Sequence, residues 1–229
     1  MIVKEFNIAD LGLKYFVGIN QISVDLAKLL KKNKIKSEKE ALDYIFDVID
    51  NIQDSFQESI IQVFSNQYVL DQNHIFQACY FVELAFFNKL NISNKKNIEF
   101  LLYLATNRQI KIGIGAFGIR HEDLESGELS YCIITHKNNL YEINKLILQN
   151  LVAEELELKL NHKSIDKFQK IKNFFEITDN QIKVVLNSYG IKTNNKDLTD
   201  YNLNDLNLAL NDLICEKMTL LSLEKITTD

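Results

Sequence analysis

Three glycines, Gly113, Gly115 and Gly118, spell GxGxxG, the spacing that brings backbone amides against a pyrophosphate at a helix N-terminus. That chemistry needs a strand before the turn, a long helix after it and an acid about 20 residues on. Here Gly118 is followed by IRHEDLESGELSYCIIT. The stretch before the strand expected at Leu129 is too short and too polar for the helix, and LSYCIIT holds no acid. A nucleotide-binding enzyme using Gly113–Gly118 is therefore the weakest functional reading. Other reactive groups are dispersed. Cys79, Cys132 and Cys215 lie far apart in apolar stretches and read as small buried hydrophobes, with no CxxC or His-x-x-x-His spacing to hold a metal. The serines lack a nucleophile elbow and the four histidines are scattered. No catalytic residue, metal site or cofactor is expected.

The cations form two groups. Lys31, Lys32, Lys34, Lys36 and Lys39 make the first, which reads as a solvated face. Lys95, Lys96, Arg108, Lys111 and Arg120 make the second. A formal net charge of −5 excludes a protein that coats nucleic acid through bulk electrostatics, but leaves room for a local basic patch.

The elements that must position these groups follow from periodicity. Residues 2–8 and 14–19 read as two strands around an Asp-Leu-Gly turn. Helical spacing follows over 24–32 and 38–53, the second with Ser37 as N-cap and Ala41, Leu42, Ile45, Val48, Ile49 and Ile52 on one stripe. Residues 60–64 read as a short buried strand. A helix over about 73–88, capped by Asp71 or Asn73, is apolar nearly all round and is expected to be the central core helix. His74 at its start reads as a hydrogen-bonding residue. The run 98–106 fits a helix capped at Ser93 or a buried strand; 129–135 is a strand. Helices are expected at 140–156, 164–175, 178–188 and 203–223, the last with more leucines than one stripe can hold. The fold class is mixed α/β: a small sheet packed against several helices in one domain, with residues 28–59 as a possible helical insertion.

With 229 residues, 46 % of them apolar, and 14 Phe and 9 Tyr, the chain can fill a core. No segment approaches the roughly 18 consecutive apolar residues of a membrane helix. The opening MIVKEFNIADLG lacks the pattern of a signal peptide, so a cytoplasmic protein with no membrane partner is expected. Proline is absent, for which we have no physical account.

The run HIFQACYFVELAFFNKLNIS (74–93), followed by IEFLLYLATNRQIKIGIGAFGI (98–119), resembles the TPRKB-type accessory subunit of the KEOPS complex. That family carries a His-started apolar helix, an apolar segment, and a pattern near Arg-Gln-Ile-x-x-Ala-Ile-x-x-Phe-Gly-Ile. Arg108, Gln109, Ile110, Ile114, Phe117, Gly118 and Ile119 match it, and LNDLICEKMTLLSLEK (210–225) is similar to its C-terminal helix. Gly113 stands where the family usually has Ala and Gly115 where it has a charged helix former, which would loosen a short helix.

The resemblance implies a subunit without catalytic residues in a complex that makes threonylcarbamoyladenosine on tRNA. It implies two partners, the complex's small atypical kinase/ATPase subunit and the single-stranded CCA end of tRNA. On that footing Arg108, Gln109, Lys111, Lys95, Lys96 and His74 are the candidate RNA-binding residues. Leu213, Met218, Leu220 and Leu221 are the candidate partner-binding residues. A protein-only scaffold or regulator of the kinase, without RNA contact, is the alternative.

Overall fold

A computed structural model of the protein describes residues 1–193 and 197–223. In chain order the elements are β1 (Ile2–Ile8), β2 (Leu13–Val24), α1 (Leu26–Asn33), α2 (Glu38–Ser55), β3 (Ser59–Phe64), α3 (Gln72–Phe87) and α4 (Lys96–Leu104). There follow α5 (Ile110–Phe117), α6 (His121–Glu125), β4 (Glu128–Thr135), α7 (Leu140–Leu151), β5 (Ala153–Glu155), α8 (Ile165–Phe174), α9 (Asp179–Ser188) and α10 (Leu203–Leu223). The fold is mixed α/β with an antiparallel sheet. Among the described residues no helix is long and apolar enough to cross a membrane. The chain forms two compact units, each from two segments: residues 1–66 with 117–159, and 67–116 with the described residues from 160 onward.

The first unit is built on the sheet, ordered β1-β2-β4-β3, with β5 added along the end of β2. β2 runs to Val24, not Ile19, because it has three partners in succession: β1 over Leu13–Ile19, β4 over Phe16–Ser23 and β5 over Ile22–Val24. Asn20 and Gln21 hid this extension in the sequence. Both are buried, and Asn20 can be so because its amide donates to Tyr131 Oη at 3.1 Å and Asn144 Oδ1 at 2.8 Å. The expected helix 140–156 stops at Leu151, and β5 takes up the residues beyond.

Residues 28–59 are only partly an appendage. Ser37 caps α2 by accepting from Glu40 N at 3.2 Å. The stripe of α2 then packs into the core of this unit: Ala41, Ile45, Val48, Ile49 and Ile52 join Ile22, Ile61, Tyr131 and Ile133 of the strands and Ile143 and Ile147 of α7. Each isoleucine and valine of that set contributes roughly 1.5–3 kcal/mol by its burial.

The second unit is helical. α3 and α10 pack on α4 and on each other, with α8 and α9 against α10. Asp71 caps α3, accepting from the amides of Asn73 and His74. The ambiguous run 98–106 is helical; its N-cap position is Lys95, not Ser93, while the buried Glu99 carboxylate accepts from Ile92 N and Ser93 N and pins the preceding loop. Lys167 ties the start of α8 to two other segments by donating to Leu70 O at 2.7 Å and Leu160 O at 2.6 Å.

Candidate functional site

The glycine-rich motif is part of a helix, not of a strand–turn–helix cradle. Gly113 and Gly115 lie within α5, which follows α4. α5 is a regular helix despite both glycines, and their environments differ. A Cβ at Gly113 would stand 3.2 Å from the Leu101 carbonyl oxygen and 3.2 Å from Leu102 Cδ2, so glycine here lets α5 lie directly on the end of α4. A Cβ at Gly115 would meet nothing within 4 Å.

α5 begins beside the end of α10, and several candidate residues come together there. Asn107 Oδ1 accepts from Gln109 N at 2.9 Å, and the Gln109 carbonyl accepts the amides of Ile112 and Gly113, which starts the helix. Arg108 Nη1 donates to Leu221 O at 3.2 Å, placing a cation on the C-terminal turn of α10, where the helix dipole favours it. An open depression of about 360 Å³ results, lined among others by Asn107, Arg108, Gln109, Lys217, Leu220 and Leu221. Its rim offers two cations and two amides, a chemistry suited to phosphate and to the edges of unpaired bases. Lys217 escaped the sequence reading. The signal for it was present: it precedes Leu221 by four residues, so the two share a helix face.

The remaining candidates fall elsewhere. Lys111 is exposed on the first turn of α5 and Lys95 is exposed at the start of α4; neither lines the depression. Two are corrected. His74 is fully buried: its Nδ1 accepts from Leu70 N at 3.3 Å, its Nε2 donates to Leu104 O at 3.1 Å, and Phe175 packs edge-on to its ring. Burial pushes its pKa down to about 4, so it is a neutral structural residue that RNA cannot reach. Lys96 is committed within the unit, its Nζ 2.7 Å from Glu83 Oε1, a carboxylate 2 % exposed, and over the Phe86 ring.

The partner-binding set is corrected too. Leu213, Met218 and Leu221 are 7 %, 0 % and 4 % exposed and belong to the core. Leu220 alone of the four is exposed, at 50 %. The surplus leucines of α10 on the surface are Leu208, Leu220 and Leu223, and α5 adds Ile110, Ile112 and Ile114. The closing segment's Glu224 and Lys225 lie outside the described residues.

Cys79 and Cys132 are buried and Cys215 is half-buried, its thiol pushed up by burial, which disfavours the nucleophilic thiolate. Comparison with models of known protein families and with curated proteins gives no match.

Proposed function

We propose that this chain is a non-catalytic accessory subunit of a KEOPS-like complex, supporting threonylcarbamoyladenosine modification of tRNA by binding the complex's kinase/ATPase subunit and the tRNA CCA end. One observation carries the reading. The sequence blocks behind the resemblance supply α3, α4, α10 and α5 up to Ala116 to the second unit, while Phe117, Gly118 and Ile119 belong to the first, and where α5 meets α10 they set Arg108, Gln109 and Lys217 around a single depression. A single-stranded end is held by a few cations and stacking contacts, so an acidic protein can serve if its cations are gathered locally. The protein-binding half of the reading rests on the exposed apolar residues of the same helices, Leu220 and Leu223 on α10 and Ile110 and Ile114 on α5. The cytoplasm is the proposed location.

Arg108→Glu tests the RNA half. Reversing this charge is expected to weaken tRNA binding at least about tenfold, since a charge-assisted contact contributes roughly 1.5–3 kcal/mol. Helical circular dichroism should be retained. Unchanged tRNA affinity in a folded variant would remove Arg108 from the site and favour the protein-only scaffold.

A further inference from the structure

The lysine cluster that the depression leaves unused has a defined geometry. Residues 28–39 hold six lysines and one acid, Glu38, in a chain whose net charge is −5. Lys28, Lys31 and Lys32 stand at i, i+3 and i+4 on the solvent side of α1, while Leu29 is buried and Leu26 and Leu30 pack against the core of the first unit. Lys34, Lys36 and Lys39 are exposed and carry the charge across the connection into α2.

That connection is fixed at both ends. Lys34 N and Ile35 N both donate to Leu30 O, closing α1, and Ile35 packs against the core. Lys36 N donates to Glu40 Oε2 at 2.9 Å and Ser37 caps α2. The lysines therefore project from a shaped turn. Among the described side chains only Lys28 of the six is held in an ion pair, with Asp25 at 2.9 Å.

We infer that Lys28–Lys39 is a second RNA-binding surface, one that takes the sugar–phosphate backbone of tRNA irrespective of sequence. The inference rests on the tRNA-binding reading above. Composition chooses among anionic partners. Protein interfaces are enriched in aromatics, Met and Arg and depleted in Lys, and residues 28–39 contain no Phe, Tyr, Met or Arg. A membrane-surface helix needs an apolar face turned outward, whereas the leucines of α1 turn inward. With no aromatic to stack on a base, what remains is multivalent attraction to phosphate. That attraction releases counterions and is steeply salt-dependent.

The test replaces Lys31, Lys32, Lys34 and Lys36 together by Gln, with the four Lys→Arg replacements as a charge-retaining control. Affinity is measured for intact tRNA and for tRNA lacking its CCA end, at about 50 mM and about 200 mM salt, where phosphate contacts differ most in strength. The Gln variant is expected to lose about tenfold or more for both RNAs at the lower salt, with a smaller loss at the higher salt, while the Arg variant binds as the wild type does. If the folded Gln variant binds both RNAs like the wild type, the surface is refuted and CCA-end capture stands. If the wild type binds both RNAs equally and the Gln variant loses both, the surface is supported and end capture fails. Wild-type protein that binds neither RNA overturns both.

Discussion

Between about pH 6.5 and pH 4 the protein is expected to lose about 3 kcal/mol of stability through one imidazole, that of His74. Burial is the main cause. The ring is enclosed, and its two nitrogens serve Leu70 N and Leu104 O in the arrangement that only the neutral form can adopt. The bond to the Leu104 carbonyl offsets part of the burial effect, and the Lys167 ammonium adds to it. In the folded state the ring therefore stays neutral down to about pH 4, while in the unfolded chain it titrates near its ordinary 6.5. Above 6.5 neither state binds the proton and the contribution is complete. As the pH falls below that value the unfolded chain gains the proton first, and stability drains until the folded ring titrates.

Asp25 and Glu155, whose pKa values are lowered, add their own losses only at more acidic pH, so the upper part of the window reports His74. Urea midpoints taken across the window should fall steadily in the wild type. In a His74→Gln variant they should start lower, by about 2 kcal/mol for backbone groups of Leu70 and Leu104 that lose their imidazole partner, and change little above pH 5. A slope equally steep in the variant would show that another group is responsible.

The second large effect concerns the buried carboxylate of Glu83. Its partner Lys96 is 26 % exposed at the side chain while Glu83 is 2 % exposed, so the pair straddles the surface with the acid inside. Removing the cation by Lys96→Ala leaves a carboxylate in a poor solvent for it and is expected to cost about 3 kcal/mol, the lower end of the range for breaking a buried pair. Replacing both residues, Glu83→Leu with Lys96→Met, removes the charge with the pair and is expected to recover most of that loss. Denaturant midpoints of the two single variants and the double variant would give the coupling directly. A Lys96→Ala loss below about 1 kcal/mol would mean that water or another group compensates Glu83.

These two residues also show where the sequence stopped being readable. Periodicity and caps locate α2 from Ser37, α3 from Asp71 or Asn73, and β1, β3 and β4, because those signals lie within a few residues of what they specify. The resemblance sets His74 and Lys96 among the RNA-binding residues, and nothing near either in sequence marks the partner it has inside the fold. The partner that buries His74 is Leu104, thirty positions after it, and the one that engages Lys96 is Glu83, thirteen before it. The second half of β2 was hidden by Asn20 and Gln21 for the same reason, since their partners Tyr131, Asn144 and Glu128 are remote. β5, three residues long, carries too little pattern to separate from the helix before it.

The site was half legible. Arg108 and Gln109 were found by motif and Leu220 and Leu221 by leucine surplus, but that these two sets share one depression, with Lys217 between them, is a property of helix packing. The leucines of α10 divide between core and surface according to neighbours that a single helix cannot reveal. Hence Leu213, Met218 and Leu221 proved internal while Leu220 and Leu223 did not.

The central claim, capture of a tRNA end, is tested most directly by titrating the wild-type protein against intact tRNA and the same tRNA lacking its terminal CCA. The cations Arg108 and Lys217 and the amides Asn107 and Gln109 at the depression predict markedly tighter binding of the intact molecule, by about tenfold or more, since one charge-assisted contact contributes roughly 1.5–3 kcal/mol. Equal affinity for the two RNAs, or no binding to either, would contradict end capture.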